Sequence, residues 1–194
     1  TKNYLKENDF KCCNESGIEA FARLNSNIYF HDDNSLWVNL FIPSELNWKE
    51  KGVKVRQETK FPEGPASRLS FTCSQPAEIS LKIRHPYWAL SGFEIKVNGK
   101  AEGACSRPGS FATVTRKWQT GDAVEISMPF SLRTEGFRDN PRRFAFLDGP
   151  IVLCAEVDTK KPFPAIVAEE GRILGGFAPV AGKPSTFSGS AQMF

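Results

Sequence analysis

The chain has 194 residues, with 40% hydrophobic and 24% charged residues, and 25 basic against 22 acidic groups for a net charge of +3. That length buries the core of one large domain. The near-balanced and scattered charge carries no footprint of nucleic-acid binding, and no apolar run reaches the ~18–20 residues of a membrane span.

The first residues, Thr1-Lys2-Asn3-Tyr4, hold neither an initiator Met nor the apolar core of a signal peptide. The expectation is a chain cut from something longer. Next comes the adjacent pair Cys12-Cys13. Neighbouring cysteines make a strained disulfide. Two thiolates facing one metal, or one ligand beside one nucleophile, suit them better. Two thiols packed without chemistry beside a helix start is the alternative. No second C-x-x-C, H-x-x-x-H or E-x-C cluster follows, so a complete metal site needs ligands from elsewhere. Cys73 and Cys154 lie in apolar runs and read as buried small hydrophobes, whereas Cys105 lies in a Gly/Ser/Pro loop and reads as exposed.

A helix is expected over 16–30. Ser16-Gly17-Ile18-Glu19 has capping-box form, and Ile18, Phe21, Leu24 and Ile28 make an apolar stripe at helical spacing. Asp32-Asp33-Asn34 ends it with turn residues.

From Ser35 the period changes to two. Strands are expected at 36–42, 52–59, 68–73, 77–84, 93–97, 111–115, 123–128, 143–147 and 151–155, with Asn98-Gly99 as a hairpin signal. Short alternating strands separated by turns predict an antiparallel β-sandwich, jelly-roll-like in kind, following one short α-helix. From Thr159 the pattern weakens. Lys160-Lys161-Pro162-Phe163-Pro164 reads as a linker, and the Gly/Pro/Ser-rich stretch from Gly175 reads as an extended tail. The organisation expected is 1–34 for the cysteine segment and helix, 35–158 for the sandwich, and 159–194 for linker and tail.

Carboxylates in turn-like segments (Asp32, Asp33, Glu63, Asp122, Asp139, Asp148) are first read as solvated turn residues. A glycosidase would need two of them paired. Trp37 and Trp118 fall in or beside strands and read as core. Trp48 and Trp88, in loops after Pro43 and Pro86, read as exposed and, with Tyr87, as candidate carbohydrate-stacking platforms. Two isolated histidines, His31 and His85, support neither a triad nor a His-rich metal site.

A series of segments then matches one family in order: Cys12-Cys13-Asn14-Glu15-Ser16-Gly17-Ile18-Glu19, Leu36-Trp37-Val38-Asn39-Leu40-Phe41-Ile42-Pro43-Ser44, Gln57-Glu58-Thr59-Lys60-Phe61-Pro62, Ile83-Arg84-His85-Pro86-Tyr87-Trp88, Val97-Asn98-Gly99, Arg116-Lys117-Trp118-Gln119-Thr120-Gly121-Asp122, and Asp148-Gly149-Pro150-Ile151-Val152-Leu153. The chain resembles the C-terminal part of the β-L-arabinofuranosidases of glycoside hydrolase families 127 and 146. The resemblance implies a zinc-dependent retaining hydrolase of β-L-arabinofuranosides in plant glycans. In it Cys12 is the nucleophile and a zinc contact, and Cys13 a zinc ligand. It further implies a preceding α/α barrel, of which the helix is the last, supplying the remaining ligands and the acid/base Glu. On that reading zinc belongs to the full-length parent, and this chain alone binds none and is silent. Its partners are then the missing barrel and, in the parent, an arabinose-containing glycan, with self-association through the bared helix. The parent is a bacterial protein of periplasm or cytoplasm. The alternative is a non-catalytic sandwich that binds carbohydrate or braces a partner domain. Two departures stand out: Asp148-Gly149-Pro150 where the family has Tyr-Gly-Pro, and Asn14-Glu15-Ser16 in place of a Gly-rich turn.

Overall fold

A computed structural model describes residues 12–155 and 173–189. It opens with α1 (Cys12–Arg23). The strands that follow are β1 (Tyr29–His31), β2 (Ser35–Val38), β3 (Ser44–Trp48), β4 (Val53–Thr59), β5 (Ala66–Cys73), β6 (Ala77–His85), β7 (Glu94–Val97), β8 (Lys100–Ala101), β9 (Ser110–Trp118) and β10 (Ala123–Ser127). Then come β11 (Leu132–Phe137), β12 (Asn140–Asp148), β13 (Ile151–Val152), β14 (Phe177–Pro179) and β15 (Phe187–Gly189).

Two sheets make the sandwich. One has four strands in the order β1-β2-β6-β9, the other six in the order β3-β4-β5-β10-β7-β8. Strand pairs are antiparallel except β2 with β6, which run parallel with Leu36 opposite Leu81. The alternation read in the sequence is realised as two faces. Val53 and Val55 of β4 and Leu69 and Phe71 of β5 are buried from one sheet. They meet Leu36, Val38, Ile79, Leu81, Ile83, Val114 and Trp118 from the other in one continuous core. The Trp118 ring stacks on Phe71 at 4.3 Å between centroids, and its indole N–H donates to the Ile79 carbonyl at 2.9 Å. A buried indole therefore carries its hydrogen bond with it, as burial demands.

The helix departs from its expected span. Its described span is Cys12–Arg23, so Ser16 and Glu19 lie inside it rather than capping it. Ser26 Oγ and Asn27 Nδ2 both donate to the Arg23 carbonyl at 2.8 Å. Side chains of this kind capture a terminal carbonyl and end a helix. Asn25–Asn27 is a 3-10 turn, and Ile28 is buried at the entry to β1 instead of completing the helical stripe.

Beyond β10 the sheets change. Strands β11, β12 and β13 form a separate three-stranded sheet. The expected tail is partly structured: β14 and β15 pair as a small antiparallel sheet. Phe177 packs its ring 4.8 Å from Phe146, and Ser185 Oγ donates to Asp148 Oδ2 at 2.8 Å. The expected linker at 160–164 lies outside the described residues.

Candidate functional site

Cys12 and Cys13 lie on α1. Downstream on the same helix, Ile18, Phe21 and Leu24 are 68%, 78% and 40% exposed. The helix thus shows solvent the apolar stripe that a packed helix would bury. Among the described residues no group of three or more His, Cys, Asp or Glu stands together as a metal site. Thiols are donors that zinc accepts, so the pair fits zinc by type.

The three aromatic candidates separate. Trp48 is 3% exposed and Trp88 6%, which corrects their reading as surface platforms. Trp48 ends β3 facing inward, with the His31 ring 4.8 Å away. Trp88 sits in a tight turn in which the Ala89 N–H donates to the Pro86 carbonyl at 3.1 Å. The turn folds its ring between Phe61, stacked at 6.1 Å, and Phe130, edge-on at 5.4 Å. A loop position in sequence says nothing of burial once the loop folds back over the mouth of a sandwich.

Tyr87 remains outside, 57% exposed, and does not stand alone. The Arg133 guanidinium lies 5.3 Å from its ring centre, with Nη2 3.5 Å from the phenol oxygen. Arg133 Nη1 donates to Glu135 Oε1, and Nη2 donates to the Gly149 carbonyl at 3.1 Å. Arg133 first, and the Tyr87 hydroxyl next, hold the Glu135 carboxyl below its ordinary range. Sequence reasoning missed Arg133 and Glu135. The available signal was their i, i+2 spacing, which puts both on one face of a strand.

His85 is buried and fully partnered. Nδ1 meets Ser106 Oγ and Nε2 meets the Ala89 carbonyl, both at 2.8 Å, and its ring stacks on Phe93 at 3.9 Å. Asp122 and Asp148 are also buried, against their reading as solvated turn residues. Asp122 accepts from Asn98 Nδ2 at 2.8 Å and from the Gln119 N–H at 2.9 Å, which closes the β9–β10 turn. Cys105 and Cys154 are exposed, and Cys73 is half-buried; exposure of Cys154 corrects its reading as a buried small hydrophobe. Burial first, then the nearby Asp122 charge, raises the Cys73 thiol pKa.

The family description "Beta-L-arabinofuranosidase, GH127 middle domain" matches residues 35–130, the span from β2 to just beyond β10. A non-reducing end β-L-arabinofuranosidase of Bifidobacterium longum subsp. longum is 26% identical over 158 residues, 75% of this chain and 23% of that protein. A crystal structure of a GH127 β-L-arabinofuranosidase from Geobacillus stearothermophilus T6 superposes with a TM-score of 0.65 at 28% identity, over 73% of this chain and 23% of that one. A GH127 β-arabinofuranosidase matches with a TM-score of 0.63 at 25% identity, over 73% of this chain and 25% of that one.

Fold and alignment together define a β-sandwich domain of the glycoside hydrolases. Residues 35–130 match the GH127 middle-domain family, and the chain spans about a quarter of the length of these relatives.

Proposed function

We propose that this chain is the cysteine-bearing and β-sandwich portion of a retaining glycoside hydrolase acting on β-L-arabinofuranosides of plant glycans. The observation that carries the reading is positional. The Cys12-Cys13 pair lies on α1, ahead of the segment that matches the GH127 middle domain. The thiolate is the attacking form of a cysteine, and contact with a metal favours it over the thiol, which suits Cys12 as the attacking group. Attack at the anomeric carbon expels the leaving alcohol and gives a thioglycoside. Water then displaces the sulfur at the same carbon, and the two inversions sum to retention. Cys13 serves beside it as a metal ligand in the whole enzyme.

Among the described residues no group of three or more His, Cys, Asp or Glu stands together. Leaving-group protonation is worth roughly 10²–10⁴-fold. The acid/base and the other metal ligands are assigned to a companion helical domain, and the isolated chain is silent. The exposed Ile18, Phe21 and Leu24 support this companion, since an apolar helix face of this kind is one that a neighbouring helix covers.

The test is a chimera in which this chain replaces the aligned part of the Geobacillus enzyme. Hydrolysis of 4-nitrophenyl β-L-arabinofuranoside is expected, and its loss in Cys12→Ala. A folded chimera without activity, or one in which Cys12→Ala turns over normally, overturns the proposal.

A further inference from the structure

The outward face of the four-stranded sheet carries a second cluster that the cysteine chemistry does not use. Strand register places Phe30 opposite Trp37, Trp37 opposite Lys82, and Arg84 opposite Phe111. With adjacent strands about 4.8 Å apart, these residues lie side by side across β1, β2, β6 and β9. Their inward neighbours Leu36, Val38, Leu81, Ile83 and Ala112 are in the core, so the alternation of the strands turns this set outward. Phe30 is 47% exposed.

The two cations lie along the rings instead of reaching for acids. Lys82 Nζ stands 4.1 Å from the Trp37 ring centre, and the Arg84 guanidinium 5.6 Å from that of Phe111. Arg84 is further fixed by Asn39 Oδ1, which accepts from Nε at 3.0 Å and Nη2 at 2.7 Å. The ion pairs of the described residues, at Arg23, Arg56, Lys96, Arg116 and Arg133, include neither Lys82 nor Arg84. Asp32 in the β1–β2 turn feels the Lys82 charge without pairing with it. The same alternation turns Glu78 outward opposite Lys117, so the strands of this face carry the cations Lys82, Arg84 and Lys117 against the carboxylate of Glu78, and Lys82 and Arg84 stay beside the rings.

We infer that this face is a binding platform for an acidic saccharide, a chain of uronate residues. Aromatic rings offer flat apolar area with little conformational entropy to lose, matching the C–H faces of a pyranose. Guanidinium and ammonium donors match the carboxylate each uronate carries. A neutral saccharide would use the rings and leave the charges idle. The inference is independent of Cys12: the platform holds a polymer and performs no bond-breaking step.

The test titrates the full chain with trigalacturonate and with galactotriose, the same sugar bearing CH2OH in place of each carboxylate, by calorimetry and by amide chemical-shift mapping. Trigalacturonate is expected to bind with shifts confined to β1, β2, β6 and β9. Galactotriose should bind at least about tenfold more weakly, since a charge-assisted hydrogen bond outweighs a neutral one by about that factor. The double variant Lys82→Gln/Arg84→Gln should erase that preference, Trp37→Ala should weaken both ligands, and Arg56→Gln on the other sheet should change neither. Absence of trigalacturonate binding overturns the inference. So does equal affinity for the two sugars, a shift map elsewhere, or undiminished binding in the double variant.

Discussion

Arg133 grips the carbonyl of Gly149 with two donors, Nε at 3.3 Å and Nη2 at 3.1 Å. The bond joins the start of β11 to the turn after β12, and the same guanidinium covers Tyr87 on the loop after β6. One side chain thus ties the three-stranded sheet to the mouth of the sandwich. Gly149 is suited to the receiving end. It sits at φ +53°, and a Cβ there would meet Phe130 Cδ1 at 2.6 Å.

Arg133→Ala should therefore lower unfolding stability by about 1–3 kcal/mol, the range for a charged hydrogen-bond donor removed from a part-buried acceptor. Gly149→Ala should cost a similar amount through backbone strain and the Phe130 clash. Urea midpoints measure both. Wild-type stability in either variant contradicts the tie.

Glu135 gives a pH test of the same cluster. Its carboxyl pKa is lowered below the ordinary 4.5, first by Arg133 and then by the Tyr87 hydroxyl. A lowered folded value means the contribution is present above the unfolded pKa and is lost as pH falls through the folded one. A carboxyl-carbon NMR titration should place the Glu135 midpoint below 4.5, and Arg133→Gln should move it upward. A wild-type midpoint at or above that value is the contrary result.

Trp118 is fully buried, stacked on Phe71 and bonded to Ile79. Trp118→Ala should cost about 3–5 kcal/mol. Trp118→Phe keeps a ring but leaves the Ile79 carbonyl without its donor, for about 1–3 kcal/mol. Thermal or denaturant unfolding of both variants checks the order. Equal damage from Trp118→Phe and Trp118→Ala would show that the indole N–H, and not the packing, governs.

The exposed stripe of α1 predicts self-association of the isolated chain. Phe21→Glu, at a residue 78% exposed, should reduce the concentration-dependent sedimentation of the wild type and leave the melting temperature unchanged. An identical sedimentation profile would mean that the stripe is not the contact.

Much of the sandwich was legible because half-buried strands write their two faces into the sequence as alternation. Val53 and Val55 against Lys54 and Arg56 is one case, and Ile79, Leu81 and Ile83 against Ser80 and Lys82 another. What was hidden depended on non-local packing. Trp48 and Trp88 follow prolines in apparent loops, yet loop closure over Phe61 and Phe130 buries Trp88, and strand β3 turns Trp48 inward. The helix stop was carried by Asn25-Ser26-Asn27, whose local bonds to Arg23 outweighed the apolar periodicity that continues to Ile28. Trp37 read as core because it lies in an apolar strand; pairing with β1 and β6 shows that it faces outward. The helix that carries the cysteine pair was legible as an amphipathic element through Ile18, Phe21 and Leu24.

The most direct measurement of the central claim is peptide mapping by mass spectrometry of the Geobacillus chimera, quenched in acid during turnover of 4-nitrophenyl β-L-arabinofuranoside. One pentosyl group is expected on the peptide carrying Cys12, absent in Cys12→Ala. Turnover with no adduct at Cys12, and with undiminished rate in that variant, would contradict it.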